Sequence, residues 1–187
     1  CAFKLIAWLK IRSMPNVRPM REAGGSLRRL KLLYGVDAAG PELPDWIARW
    51  TSFLSSAPAK VRRDVSARMP FPRNVKKIFD VPANVGRLSR ELSRRQIKPS
   101  LVVEKLSGLP IAWLAVLHAK SAAPARRRIE MFARKWRHVA APVTGDDLRR
   151  WGIPPGPAYP KILKKLRAAK LDGIARTESD FKRLIGP

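Results

Sequence analysis

Apolar residues recur along this chain at helical spacing. Leu27, Leu30, Leu33 and Tyr34 repeat every three or four positions, with Arg28, Arg29 and Lys31 opposite them and Gly35 as the stop. After the loop D-A-A-G-P-E-L-P, Asp45 is placed to cap a helix carrying Trp46, Ile47, Trp50, Phe53 and Leu54 on one stripe. Across 58–80 the expected buried row is Val61, Val65 and Met69, and M-P-F-P-R-N predicts a kinked connection. From Asn84 to Ile97, Val85, Leu88, Leu92 and Ile97 fall inside, while Arg87, Arg90, Arg94 and Arg95 fall outside.

Lys98-Pro99-Ser100 ends that segment and is expected to cap a helix over Leu101–Leu106. Pro110 then opens I-A-W-L-A-V-L-H-A-K, which is apolar on nearly every face and belongs at the centre of a bundle. His118 lies on it and is expected to be a hydrogen-bonded core histidine. A very basic helix starts at Pro124. Ile129, Phe132 and Trp136 form its stripe, and Arg126, Arg127, Arg128, Arg134, Lys135 and Arg137 cover most of the rest.

No stretch alternates with strand period and no repeat is visible. The pattern predicts an all-α fold, an irregular bundle of about seven to nine helices joined by Pro-rich turns. Residues 12–26, with two prolines and Gly24-Gly25, read as an extended basic linker. The expected organisation is a basic N-terminal arm over 1–26, a helical body over 27–140 and a tail-like helical segment over 141–187. The run C-A-F-K-L-I-A-W-L-K-I lacks an initiator Met and is too short to span a bilayer. It reads as a helix packed on the body, the last helix of an upstream domain, an amphipathic arm or a leftover organelle-targeting segment.

Charge changes this picture. Thirty-nine Lys and Arg oppose fourteen Asp and Glu, giving a net charge of +25 and a pI of about 11.6. A small domain needs a net charge of only about 2 to 8 for solubility. The surplus points to a polyanion, and its spread along the whole chain favours nucleic acid over a membrane surface. An apolar fraction of 45% argues for a folded domain rather than a disordered basic tail. Cys1 is the only cysteine, which excludes an internal disulfide and a thiolate zinc site and fits a reducing, intracellular compartment, the cytoplasm or the mitochondrial matrix. His118 and His138 have no ligand-like companions, so neither metal nor cofactor is expected.

The segment from Val143 to Gly173 carries the most local information. Thr144 and Asp147 have the spacing of a capping box, Leu148 and Trp151 point inward, and Gly152 is placed for a left-handed stop. I-P-P-G-P then stiffens a turn in which Gly156 is expected to take the conformation proline cannot, and Pro157 is expected to start a long helix. Tyr159, Ile162, Leu163, Leu166 and Ala169 lie on one side of it, and Lys161, Lys164 and Lys165 on the other. Thr177-Glu178-Ser179-Asp180 caps a last helix carrying Phe181, Leu184 and Ile185.

T-G-x-D-L, then G-I-x-P-G-P, then a helix ending A-x-L-D-G resembles the C-terminal tail of bacterial tRNA nucleotidyltransferases, the CCA-adding and A-adding enzymes of the poly(A) polymerase family. Weaker similarity extends upstream through K-P-S, H-A-K and K-W-R-H-V, so the resemblance covers about residues 27–187. In that family a head domain holds metal ions on an Asp-x-Asp pair. This sequence contains no Asp-x-Asp, no Walker-type loop and no Ser/His/Asp set. The resemblance therefore implies body and tail without the catalytic head, a part that grips the acceptor stem and elbow of tRNA through the backbone.

Candidate RNA-binding residues are Arg28, Arg29, Arg94, Arg95, Arg126, Arg127, Arg128, Arg134, Lys135, Arg137, Arg149, Arg150, Lys161, Lys164 and Lys165. The charge favours a non-catalytic structural subunit of a ribonucleoprotein such as an organellar ribosome, bound to rRNA and to neighbouring subunits. The alternative is the tRNA-binding portion of a nucleotidyltransferase whose head is missing from this chain.

Overall fold

The protein's structure, a computed structural model, describes residues 17–34, 44–55, 57–79 and 84–185. The readings made for residues 1–16, for Gly35 and for the loop that follows it lie outside the described residues. As the periodicity predicts, the fold is all-α. The described residues form α1 (Val17–Tyr34), α2 (Asp45–Leu54), α3 (Ala59–Arg68), α4 (Arg73–Phe79), α5 (Val85–Leu92), α6 (Pro99–Leu106), α7 (Ile111–Lys120), α8 (Ala123–Arg134), α9 (Gly145–Arg150), α10 (Tyr159–Leu171) and α11 (Glu178–Ile185), with a 3-10 turn at Trp136–His138. They group into two compact units. One holds the described residues up to Arg94 together with Gly108–Glu130; the other holds Arg95–Ser107 and the chain from Met131 onward.

In the first unit α7 is the central element, because every residue from Ile111 to His118 is buried. It packs against α1, α2 and α5. Trp113 is 1% exposed, and its indole N–H donates to the Ile78 carbonyl at 2.6 Å, so burial leaves no orphan donor. Beside it, Ile47, Leu54, Val65, Val75 and Phe79 form a cluster joined by Trp50, Phe53 and Phe71. Phe71 sits edge-on to both Trp50 and Phe79.

Residues 17–26, predicted as extended linker, are helical in α1. Pro19 falls in the first turn, where its missing N–H removes no helical bond. Ala23 is fully buried, and a Cβ on Gly24 would stand 3.2 Å from Arg49 Nε, so this helix approaches its neighbour closely at that point. Tertiary burial overrides the helix cost of about 1 kcal/mol per glycine. Asp45 does not cap α2: Pro44 occupies that position, and the Asp45 carboxylate accepts from Arg28 at 2.6 Å.

His118 is satisfied, as expected of a core histidine. Its side chain is 8% exposed. Nδ1 lies 2.9 Å from Ser26 Oγ and Nε2 lies 3.1 Å from Glu130 Oε1, and Arg29 donates to the same carboxylate oxygen at 2.6 Å. Burial pushes the imidazole below its ordinary pKa of 6.5; Glu130 opposes this, while Arg126 and Arg29 reinforce it. The Arg29 hydrogen bond in turn holds Glu130 below the usual carboxylate range.

In the second unit Val143, Leu148, Leu166, Ala169, Ala175 and Phe181 make the core, with Tyr159, Ile162 and Leu163 packed on it as the stripe predicts. The Thr144–Asp147 capping box is present in both directions. Gly152 and Gly173 have φ of 81° and 70°, the left-handed stops of α9 and α10. Gly156 does not take a positive φ; the turn is closed instead by Tyr159 Oη, which donates to the Ile153 carbonyl at 2.7 Å. The long helix begins at Tyr159, not Pro157, with Pro160 in its first turn. At α11, Asp180 accepts from the Arg176 and Thr177 amides, which lower its pKa to about 2.

The sequence predicts Lys98-Pro99-Ser100 as the cap of a helix over Leu101–Leu106. That helix already begins at Pro99, and the Ser100 amide and hydroxyl both donate to Asp172, at 2.9 and 2.7 Å. Arg167 reaches back to the carbonyls of Val139 and Arg137 at 2.7 and 3.3 Å. Residues 95–107 and 131–140 thus share a compact unit with the tail-like segment.

The lowered imidazole pKa fixes the sign of one pH effect. The unfolded chain binds a proton below about pH 6.5 that folded His118 resists, so stability falls as pH drops through that value. Urea denaturation between about pH 7.5 and 5 should show this loss, and His118→Gln should flatten it. An equally steep profile in the variant would show that another group controls the dependence.

Candidate nucleic-acid interface

Of the fifteen candidate residues, the first unit carries Arg28, Arg29, Arg94, Arg126, Arg127 and Arg128. The second carries Arg95, Arg134, Lys135, Arg137, Arg149, Arg150, Lys161, Lys164 and Lys165. All are exposed except Arg128 and Arg137, which are half-buried. Exposure alone does not make a phosphate ligand, because many of these side chains already have partners.

Four are paired with carboxylates. Arg28 bonds to Asp45 and Arg29 to Glu130, both at 2.6 Å; Arg150 bonds to Asp147; Lys164 bonds to Glu104 at 2.8 Å. Three more are spent on main-chain oxygens. Arg126 donates to the Ser121 carbonyl at 2.7 Å, Lys165 donates to the Leu184 carbonyl at 2.5 Å, and the Arg128 guanidinium donates to the carbonyls of Leu92 and Arg94. Arg95 and Arg137 also have partners.

Six remain exposed with no side-chain partner among the described residues: Arg94, Arg127, Arg134, Lys135, Arg149 and Lys161. Arg128 of α8 donates to the Leu92 carbonyl at the end of α5 and to the Arg94 carbonyl two residues beyond it, so the backbone of Arg94 is tied to the helix that carries Arg127. The four others stand on different elements of the second unit: Arg134 and Lys135 at the end of α8, Arg149 on α9 and Lys161 on α10.

Periodicity gives no sign of a further basic group. Lys170, Arg176 and Lys182 join Arg150 and Trp151 around a cleft of about 620 Å³ in the second unit. Trp151 turns only part of its ring inward. Its indole N–H donates to Glu178 at 3.2 Å, and Lys182 Nζ stands 5.2 Å from the ring centroid, a cation–π distance. Lys182 also pairs with Glu178 at 3.0 Å. Such a surface attracts phosphates and offers an aromatic face. Among the described residues no group of three or more His, Cys, Asp or Glu could hold a metal ion, and no helix is long and apolar enough to cross a membrane.

No protein-family model matches the chain. It is 27% identical over 152 residues to the A-adding tRNA nucleotidyltransferase of Geobacter sulfurreducens, an alignment covering 78% of this chain and 17% of that protein. The chain thus spans about a sixth of the curated relative it matches. Among solved structures it is similar to the Thermotoga maritima CCA-adding enzyme complexed with tRNA, with a TM-score of 0.72 and 21% identity over 98% of this chain and 44% of that one. A CCA-adding enzyme in complex with ATP gives a TM-score of 0.69 and 21% identity, covering 98% of this chain and 43% of the other. The chain is homologous to part of an A-adding tRNA nucleotidyltransferase, and its all-α fold is one that CCA-adding enzymes share.

Proposed function

We propose that this chain is a tRNA-binding part of a nucleotidyltransferase-like protein, corresponding to body and tail, and that it holds RNA by its backbone. The observation that carries this reading is the fold: 98% of the chain superposes on part of an enzyme solved with tRNA. The chemistry agrees. The six partner-free cations sit on helix exteriors or just past helix ends, where Lys and Arg contact phosphate and ribose and position an RNA without reading its sequence. In the parent enzymes nucleotidyl transfer belongs to the head, so the role proposed for these residues is grip. A permanent rRNA-bound subunit is suggested by charge alone; homology and fold both favour the tRNA reading.

Binding of a tRNA transcript and of an rRNA hairpin of equal length, followed across a salt series, tests this. The tRNA should bind more tightly, with log K falling linearly in log salt. Arg127→Glu and Lys161→Glu should each weaken binding and lower the salt slope by about one. Wild-type affinity and slope in both variants would remove these residues from the interface.

Arg128 and Arg127 are neighbours with opposite expectations for stability. Arg128→Gln removes charge-assisted bonds to the Leu92 and Arg94 carbonyls and should cost about 1–3 kcal/mol in urea denaturation. Arg127→Gln should stay within about 0.5 kcal/mol of wild type. Equal losses would contradict the assignment of Arg128 as a structural cap.

A further inference from the structure

Trp151 stands between two clefts of different chemistry. The first brings four cations, Arg150, Lys170, Arg176 and Lys182, against two carboxylates, Asp147 and Glu178. Both carboxylates are engaged: Asp147 accepts from Thr144 and Arg150, and Glu178 accepts from Lys182 and the Trp151 indole. Lys170 and Arg176 are exposed, and their side chains have no partner among the described residues. The second cleft, of about 600 Å³, shares Arg150, Trp151 and Lys182 with the first but is walled by Ile153, Pro154 and Ile185.

We propose that this pair of clefts takes one unstacked nucleotide from a loop of the bound RNA. The base lies against the Trp151 ring in the apolar cleft, and the adjoining phosphate lies in the basic one, on Lys170 and Arg176. Each half has its reason. Every base has a π-face that an aromatic ring can stack on, and single-stranded nucleic acid is held by pairing such rings with a cationic path for the backbone. Both clefts are open on one side and of a volume that admits a base or a phosphate. The chain is ready for the exchange. Lys182 now covers the ring at 5.2 Å, and its half-exposed ammonium can move from ring to phosphate when a base arrives. A duplex offers phosphates but no free base face, so this site separates loop from stem, which the outer lysines and arginines do not do. The inference rests on the RNA-binding reading above and adds base contact to it.

The test compares a hairpin RNA with a blunt duplex of equal phosphate number, using the full chain and its Trp151→Leu variant, with circular dichroism as the check on folding. Wild-type protein should prefer the hairpin by about tenfold, and Trp151→Leu should lose that preference while binding the duplex unchanged. Because Trp151 also packs on the core of its unit, a second variant, Lys170→Gln with Arg176→Gln, alters only exposed side chains. It should lower the salt slope for the hairpin by about 0.7, and by more than it lowers the slope for the duplex. Equal affinity of wild type for both RNAs, or an intact preference in both variants, overturns the inference while leaving RNA binding itself standing. Failure of wild type to bind either RNA overturns the RNA-binding reading instead.

Discussion

Main-chain carbonyl oxygens hold several of the arginines and lysines of this fold in place. With fourteen carboxylates for thirty-nine lysines and arginines, ion pairs alone could not do so. The oxygens used lie where helices end. Arg128 reaches the end of α5, Arg126 the residue after α7, Arg62 the Ala57 carbonyl just past α2, Lys165 the last turn of α11, and Arg167 the 3-10 turn and the residue after it. Those in the last turn of an α-helix, Leu92 and Leu184, lack intrahelical donors and carry the negative end of the helix dipole, so a cation there satisfies two needs at once. Short helices supply many such ends, which is how a strongly basic chain can remain densely folded.

The same arrangement sorts the basic surface. A lysine or arginine that closes a helix end is fixed in place and cannot follow a phosphate without freeing a carbonyl. One without a partner keeps its side-chain freedom and its full attraction for RNA. Arg127 and Arg128 differ in this way although they are adjacent and chemically identical. The set of cations able to follow a phosphate is therefore smaller than the net charge suggests, although the held ones still add to the field.

Local features were legible in the sequence because they depend on a few neighbouring residues. Examples are the Thr144–Asp147 capping box, the Gly152 stop, the stripe of α10 and the all-round apolar α7. What depended on distant partners was not. The helical state of residues 17–26 comes from burial of Ala23 and the close approach at Gly24, neither of which has a periodic signature. Ser100 binds Asp172 rather than its own helix, a contact spanning 72 residues. Among the candidate contacts, residue type and exposure were readable, but occupancy was not, because the competing acceptors are carbonyls that every sequence possesses. Lys170, Arg176 and Lys182 went unnoticed because their shared cleft is made by three separate elements.

The hydrogen bonds around His118 bear on more than its protonation. Leu27 and Leu30 of α1 are apolar and could fill the space beside α7 in several alignments of the two helices. Ser26, Glu130 and the imidazole between them accept only one. Sliding α1 along α7 would part Ser26 from Nδ1 and draw Arg29 away from Glu130, stranding polar atoms in the interior. The network works as a key for register, selecting one docking of the helices among several that hydrophobic contact alone would permit.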